Sequence, residues 1–146
     1  MTSLATVVTG NGYTVLLHLL LLSVSRSRGN RPSRGSGGGI YLGNSTASLE
    51  NVTITGNIAS EDGGGIYSNS TTLVLNNVRV DSNQTENSGG GLYMDNDTLI
   101  ATNTTFNHNV TINTNSRGGG VCLGGSNTSY TFDRCRIQYN TAGQYG

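Results

Sequence analysis

From residue 37 onward, apolar and polar positions alternate in short runs that return at matching places relative to four asparagines, Asn57, Asn83, Asn109 and Asn140. Three residues before each asparagine stand Ile54, Val80, Phe106 and Ile137, and five before stand Val52, Val78, Thr104 and Cys135. Eight before stand Leu49, Leu75, Ala101 and Phe132, and ten before stand Ala47, Leu73, Leu99 and Tyr130. A period of two predicts strands with one buried face. A further apolar position, Ile40, Ile66, Leu92 and Val121, directly follows each of four triple glycines that start at Gly37, Gly63, Gly89 and Gly118. Each unit therefore reads as about three short strands parted by glycine or asparagine turns.

The glycine corners are spaced 26, 26 and 29 residues apart and the asparagines 26, 26 and 31, so extra residues belong in turns. One such unit cannot bury its apolar side alone, but copies stacked at a strand spacing of about 4.8 Å bury it against one another. This predicts an all-β fold, a right-handed parallel β-helix of about four coils, with right-handed crossings as L-residues favour. Aligned asparagines would form a structural ladder by exchanging amide hydrogen bonds between coils. A leucine-rich repeat is the competing architecture at this period, but it needs leucines at fixed offsets and a helical return, and no helical period runs through residues 37–146. The chain stops at Gly143-Gln144-Tyr145-Gly146, where the next glycine corner would begin, so a fragment of a longer solenoid is expected.

Residues 1–36 are set apart as an N-terminal segment, and residues 37–146 as the repeats. Within the segment, the apolar run from Val15 to Leu22, interrupted by His18, is too short to span a bilayer as a helix. Two readings stand: a signal-like hydrophobic stretch, or a strand of a degenerate first coil whose asparagine is Asn30. Arg26, Arg28, Arg31 and Arg34, among Ser and Gly, read as a solvated linker.

The pairing of a glycine corner with a later apolar-x-x-Asn, as in Ile54-Thr55-Gly56-Asn57 and Phe106-Asn107-His108-Asn109, resembles the repeats of the polymorphic outer-membrane proteins. Their signatures are Gly-Gly-Ala followed by an aliphatic residue, and Phe-x-x-Asn. The resemblance spans Gly37 to Asn140. It implies a β-helical passenger displayed outside the cell or on its outer membrane. Here the third corner residue is glycine in place of alanine, and one copy of four has phenylalanine.

Composition agrees with a solenoid: 22 glycines, a single proline and 11% charged residues leave little for a conventional layered core. Eight basic and eight acidic residues balance to zero, and no aromatic interleaves the N-terminal arginines, so nucleic acid is not an expected partner. Since β-helices include pectin-degrading enzymes, the carboxylates require inspection. Glu61-Asp62 and Asp95 with Asp97 are acids close in sequence, in or near turns, read as solvated, with no basic residue at a matching offset one unit away. A weak calcium site at Asp95, Asn96 and Asp97 has no further support. His18 and His108 lie in different segments without metal-ligand spacing. No catalytic residue, metal site or cofactor is expected. Cys135 takes an inward position and Cys122 an outward one, which favours free thiols.

Tyr41, Tyr67 and Tyr93 share one outward offset in successive units and form a candidate binding strip for carbohydrate or a protein surface, or a cross-strand support. Eight Asn-x-Ser/Thr sequons occur, at Asn44, Asn51, Asn69, Asn83, Asn96, Asn103, Asn109 and Asn127. Those at Asn83 and Asn109 coincide with the ladder, whereas Asn107 is read as facing solvent. The sequence therefore points to a non-enzymatic extracellular or cell-surface repeat module, adhesin-like or scaffolding, open to stacking with further coils of a longer chain. The alternative is the remnant of a polysaccharide lyase or hydrolase.

Overall fold

The computed structural model describes residues 29–30 and 35–143 with their side chains, and four strands ahead of them by backbone alone. Those are β1 (Val7–Val8), β2 (Tyr13–Leu16), β3 (Leu19–Ser23) and β4 (Arg26–Arg28). The first glycine corner opens a coil of β5 (Ile40–Gly43), β6 (Thr46–Glu50), β7 (Thr53–Thr55) and β8 (Ile58–Ala59). The second holds β9 (Ile66–Asn69), β10 (Thr72–Asn76), β11 (Arg79–Asp81) and β12 (Gln84–Thr85). The third holds β13 (Leu92–Asp95), β14 (Thr98–Thr102), β15 (Thr105–Asn107) and β16 (Val110–Thr111). The last has β17 (Val121–Gly124), β18 (Ser129–Asp133) and β19 (Arg136–Gln138), followed by a lone bridge from Thr141 to Val110.

All pairing is parallel and joins each coil to the next, giving four ladders: β2-β5-β9-β13-β17, β3-β6-β10-β14-β18, β1-β4-β7-β11-β15-β19 and β8-β12-β16. No described residue is helical. The fold is an all-β parallel β-helix of about four coils. Coils have a fourth strand that the pattern does not announce, because β8, β12 and β16 are two residues long and too short to show a period.

Like side chains stack because the register is in phase. Ile40 lies beside Ile66, Ile66 beside Leu92 and Leu92 beside Val121, while Ile54, Val80, Phe106 and Ile137 form another inward column. Through the first three coils these positions are sealed, and they merge with Leu42, Leu49, Leu73, Leu75, Met94 and Leu99 into one core. Val121, Leu123, Phe132 and Cys135 of the last coil pack against it half-buried.

The apolar run of the N-terminal segment also supplies ladder strands. Leu19 to Ser23 pair with Thr46 to Glu50, and Arg26 to Arg28 pair with Thr53 to Thr55, so part of the stretch read as a linker is backbone-paired. His18, Arg31, Arg34 and Gln144 to Gly146 lie outside the described residues. The extra residues of the longer units sit in two turns, between Thr111 and Gly118 and between Gly124 and Ser129, and register resumes after each.

Candidate functional site

The two halves of the repeat motif meet in space. The Asn57 backbone N–H and its Nδ2 both donate to Asn83 Oδ1, at 3.0 Å and 3.0 Å. Asn83 makes the same pair to Asn109 at 3.0 Å and 3.0 Å, and Asn109 to Asn140 at 2.9 Å and 3.0 Å. The second amide hydrogen turns inward, from Asn83 to the Ile54 carbonyl at 3.0 Å and from Asn109 to the Val80 carbonyl at 3.0 Å. Asn30 extends the ladder by donating from its N–H and Nδ2 to Asn57 Oδ1 at 3.1 Å and 2.9 Å.

A Cβ on the third corner glycine would lie close to the amide of its own coil. The distance to Nδ2 would be 2.8 Å for Gly39 with Asn57, 3.0 Å for Gly65 with Asn83 and 2.9 Å for Gly91 with Asn109. The corner is therefore glycine where the resembling family has alanine. In this backbone the amide occupies the methyl's space.

The tyrosine column is a true stack. Tyr41 and Tyr67 rings lie 4.9 Å apart at 13°, and Tyr67 and Tyr93 lie 5.5 Å apart at 9°. Each is half-buried because the rings cover one another, so the strip presents edges and hydroxyls more than faces. Two residues further along these strands Asn69 Nδ2 donates to Asp95 Oδ2 at 3.3 Å, laying a polar row beside the phenols. Burial, then the neighbouring phenols and the Asp95 and Asp62 carboxylates, push the Tyr67 hydroxyl up to about 12, and burial pushes Tyr93 upward as well. Both stay protonated donors at neutral pH. In the last coil Cys122 takes the tyrosine position, and burial raises its thiol. Cys122 and Cys135 are free, and Cys135 Sγ donates to the Ala101 carbonyl at 3.3 Å.

A second cluster lies on the outside of the β7-β11-β15-β19 ladder. Asp81 accepts from Arg79 Nη2 at 2.9 Å and Ser82 Oγ at 3.3 Å, and its Oδ1 lies 3.1 Å from His108 Nδ1. Burial acts to raise this carboxyl, but the hydrogen bonds from His108, Arg79 and Ser82 outweigh it and hold the group below its ordinary value. His108 stacks on Tyr139, with centroids 5.3 Å apart at 15°. Asn107, read as facing solvent, is half-buried in this outward row between Asp81 and Gln138, and its Oδ1 is buried without a partner.

The acids near the turns need correction. Asp97 is not solvated: it is 2% exposed, accepts from the Thr71 backbone N–H, and accepts the Asp95 N–H on Oδ2 at 3.1 Å. Its place in the unit belongs to Ser45, Thr71 and Thr128 in the other coils. Ser45 and Thr71 hydroxyls meet at 3.3 Å, and the Asp97 N–H donates to Thr128 Oγ1 at 3.4 Å. This is a second polar corner ladder with a carboxylate as one rung. Asp62 serves similarly at another corner, accepting the Ser88 N–H at 2.8 Å and donating its own N–H to Ser36 Oγ at 3.3 Å. Burial pushes both carboxyls upward.

With in-phase parallel ladders and an interior asparagine column in place, comparison with known families is decisive: a model of the right-handed β-helix region matches residues 21–146. The chain belongs to the right-handed β-helix family. No curated protein and no solved structure matches it. The match begins inside the apolar run, so the family's pattern includes β4 as well as the four glycine-led coils.

In this β-helix, then, the asparagine and glycine columns are committed to the fold, and the tyrosine strip and the Asp81 cluster remain as surface chemistry. No three His, Cys, Asp or Glu side chains among the described residues converge as a metal cage. An open depression of about 570 Å³ lies beside the longer turn of the third coil, lined by Asn87, Ser88, Ile112 and Asn113 to Ser116, without a titratable side chain. The Asp81–His108 contact escaped the sequence reading because it joins neighbouring coils diagonally; its signal is a separation of 27, one unit plus one residue.

Proposed function

We propose that this β-helix is a non-catalytic repeat module of an extracellular or cell-surface protein, adhesin-like or scaffolding, which contacts carbohydrate or a protein surface through Tyr41, Tyr67 and Tyr93. The observation that carries the reading is the stack itself, three near-parallel phenols in consecutive coils beside the Asn69–Asp95 row. Such a strip offers hydroxyl donors and carboxylate acceptors on rigid strands, so a ligand binds without ordering a loop. The resemblance of the glycine corners and apolar-x-x-Asn turns to polymorphic outer-membrane repeats supports surface display.

The competing reading, a remnant of a polysaccharide lyase or hydrolase, has one observation in its favour. Asp81 orients the imidazole of His108, as an acid–base pair requires. Yet the His108 side chain is 60% exposed in the turn that follows β15, where nothing excludes water.

The test is binding of the whole chain to an array of glycans and to intact cell surfaces, compared with a variant carrying serine at Tyr41, Tyr67 and Tyr93. Binding that the variant loses supports the module. Equal binding by both proteins overturns the strip, and polysaccharide turnover abolished by His108→Ala overturns the non-enzymatic reading.

A further inference from the structure

The charges of this chain balance overall but not by face. Among the described side chains, the ladder of β7, β11, β15 and β19 holds Arg79 and Arg136 against the single acid Asp81, and the backbone of β4, with Arg26 and Arg28 in its sequence, joins the same ladder, while the chain as a whole has eight charges of each sign. The register orders these charges. Arg26 pairs with Thr53, Thr53 with Arg79, Arg79 with Thr105 and Thr105 with Arg136, so arginine and threonine alternate up one column. Arg79 and Arg136 are exposed at outward positions, Thr53 and Thr105 are half-buried between the charges, and the parallel row of Thr55, Asp81, Asn107 and Gln138 lies beside them. No strand of this ladder places an aromatic residue outward.

We propose that this face binds an extended acidic polysaccharide with one carboxylate per disaccharide, laid along the solenoid axis. Alternate rungs set the arginines about 9.6 Å apart, twice the strand spacing. Each sugar of an extended, equatorially linked chain advances by about one strand spacing, so a carboxylate on every second sugar meets every second rung. Threonines on the intervening rungs and the Asn107 and Gln138 amides offer hydrogen bonds to the hydroxyls of the neutral sugars. A nucleic acid fits worse: its strand carries a charge about every 3.4 Å, and the aromatic residue beside the face, Tyr139, is already stacked on His108. Arg79 is held by Asp81 at 2.9 Å, which fixes its stem against the sheet and leaves its side chain 61% exposed. The proposal does not rest on the tyrosine strip, which belongs to the β5-β9-β13 ladder.

The experiment measures binding of the whole chain to immobilised hyaluronan, with neutral dextran and single-stranded oligo-dT as competitors. The expected result is binding at low salt that weakens as salt screens the contacts. It should weaken about fivefold in an Arg79→Gln, Arg136→Gln double variant, as two exposed ion pairs allow. Arg117→Gln, at the glycine corner, should bind as the parent does. Arg136→Gln alone leaves the Asp81 pair intact and keeps the test valid if the double variant misfolds. Failure to bind hyaluronan at low salt, affinity unmoved by Arg136→Gln, or stronger competition by oligo-dT than by free hyaluronan would overturn the proposal.

Discussion

Asn83 Nδ2 donates to Asn109 Oδ1 at 3.0 Å inside a fully buried corner, and the Asn83 backbone N–H shares that oxygen at 3.0 Å. Asn83 Oδ1 in turn receives both hydrogens from Asn57. Leucine at this position leaves the Asn57 N–H and Nδ2 without their acceptor and takes the amide donor from the Ile54 carbonyl, while Asn109 Oδ1 keeps only the backbone N–H, at about 1–3 kcal/mol for each buried group left unpaired. Asn83→Leu should therefore unfold at a clearly lower denaturant midpoint than Asn76→Leu, whose side chain is exposed at the end of β10. By the same burial, expression through a glycosylating secretory pathway should leave Asn83 and Asn109 bare while exposed sequons such as Asn44 and Asn96 are open to modification. Equal midpoints, or a glycan mapped to Asn83, would contradict the ladder.

Glycines at different corners should respond differently to a methyl group. At Gly64 a Cβ would stand 2.4 Å from the Gly90 carbonyl oxygen and 2.5 Å from that of Gln84, so backbone must move. At Gly56 the φ is +64° but nothing lies within 4 Å, which leaves only the left-handed strain of roughly 1–2 kcal/mol. Gly64→Ala should lower the thermal midpoint well beyond Gly56→Ala, as read by far-ultraviolet circular dichroism.

Acidification should first strengthen the fold. Burial raises the Asp97 carboxyl above its ordinary 3.8, so the folded chain takes up this proton before the unfolded chain does. Stability then rises as pH falls from neutral through the raised value, and the gain is complete below 3.8. Asp62 acts in the same direction, whereas Asp81, held low, withdraws its contribution as pH falls below 3.8 through its own depressed value. Denaturant midpoints across this range should show the rise in the parent and a smaller one in Asp97→Asn.

The tyrosine stack predicts the alkaline limb. With the Tyr67 phenol pushed from 10.0 to about 12 by burial and its neighbours, the unfolded chain loses this proton first, and stability falls as pH climbs between those values. Tyr67→Phe should lose less stability across that window, and phenolate absorbance should show a late-ionising component that the variant lacks.

What could be read from the residues alone was whatever repeats along the axis. Ile54, Val80 and Phe106 announce an inward column, and Asn57, Asn83 and Asn109 announce a ladder, because each rung repeats the demand of the one before. Tyr41, Tyr67 and Tyr93 were legible for the same reason. What was missed departs from its column or crosses between columns. Asp97 occupies a hydroxyl position, shared with Ser45, Thr71 and Thr128, but carboxylates are so rarely buried that the acid alone suggests solvent. Asp81 meets His108 on the neighbouring coil, a diagonal contact that no periodic reading displays.

Every strand ladder, and the hydrogen-bond ladder of Asn57, Asn83, Asn109 and Asn140, runs from one coil to the next, while the covalent backbone runs around the perimeter. Tension applied along the axis therefore loads every intercoil interface alike, and the weakest gives way first. Each coil that lets go frees the 26 residues separating Asn83 from Asn109, roughly 90 Å of contour if fully drawn out. Pulled across the axis, the same molecule resists through the peptide backbone that winds around each coil. Mechanically it is a stepwise tether in one direction and a stiff rod in the other.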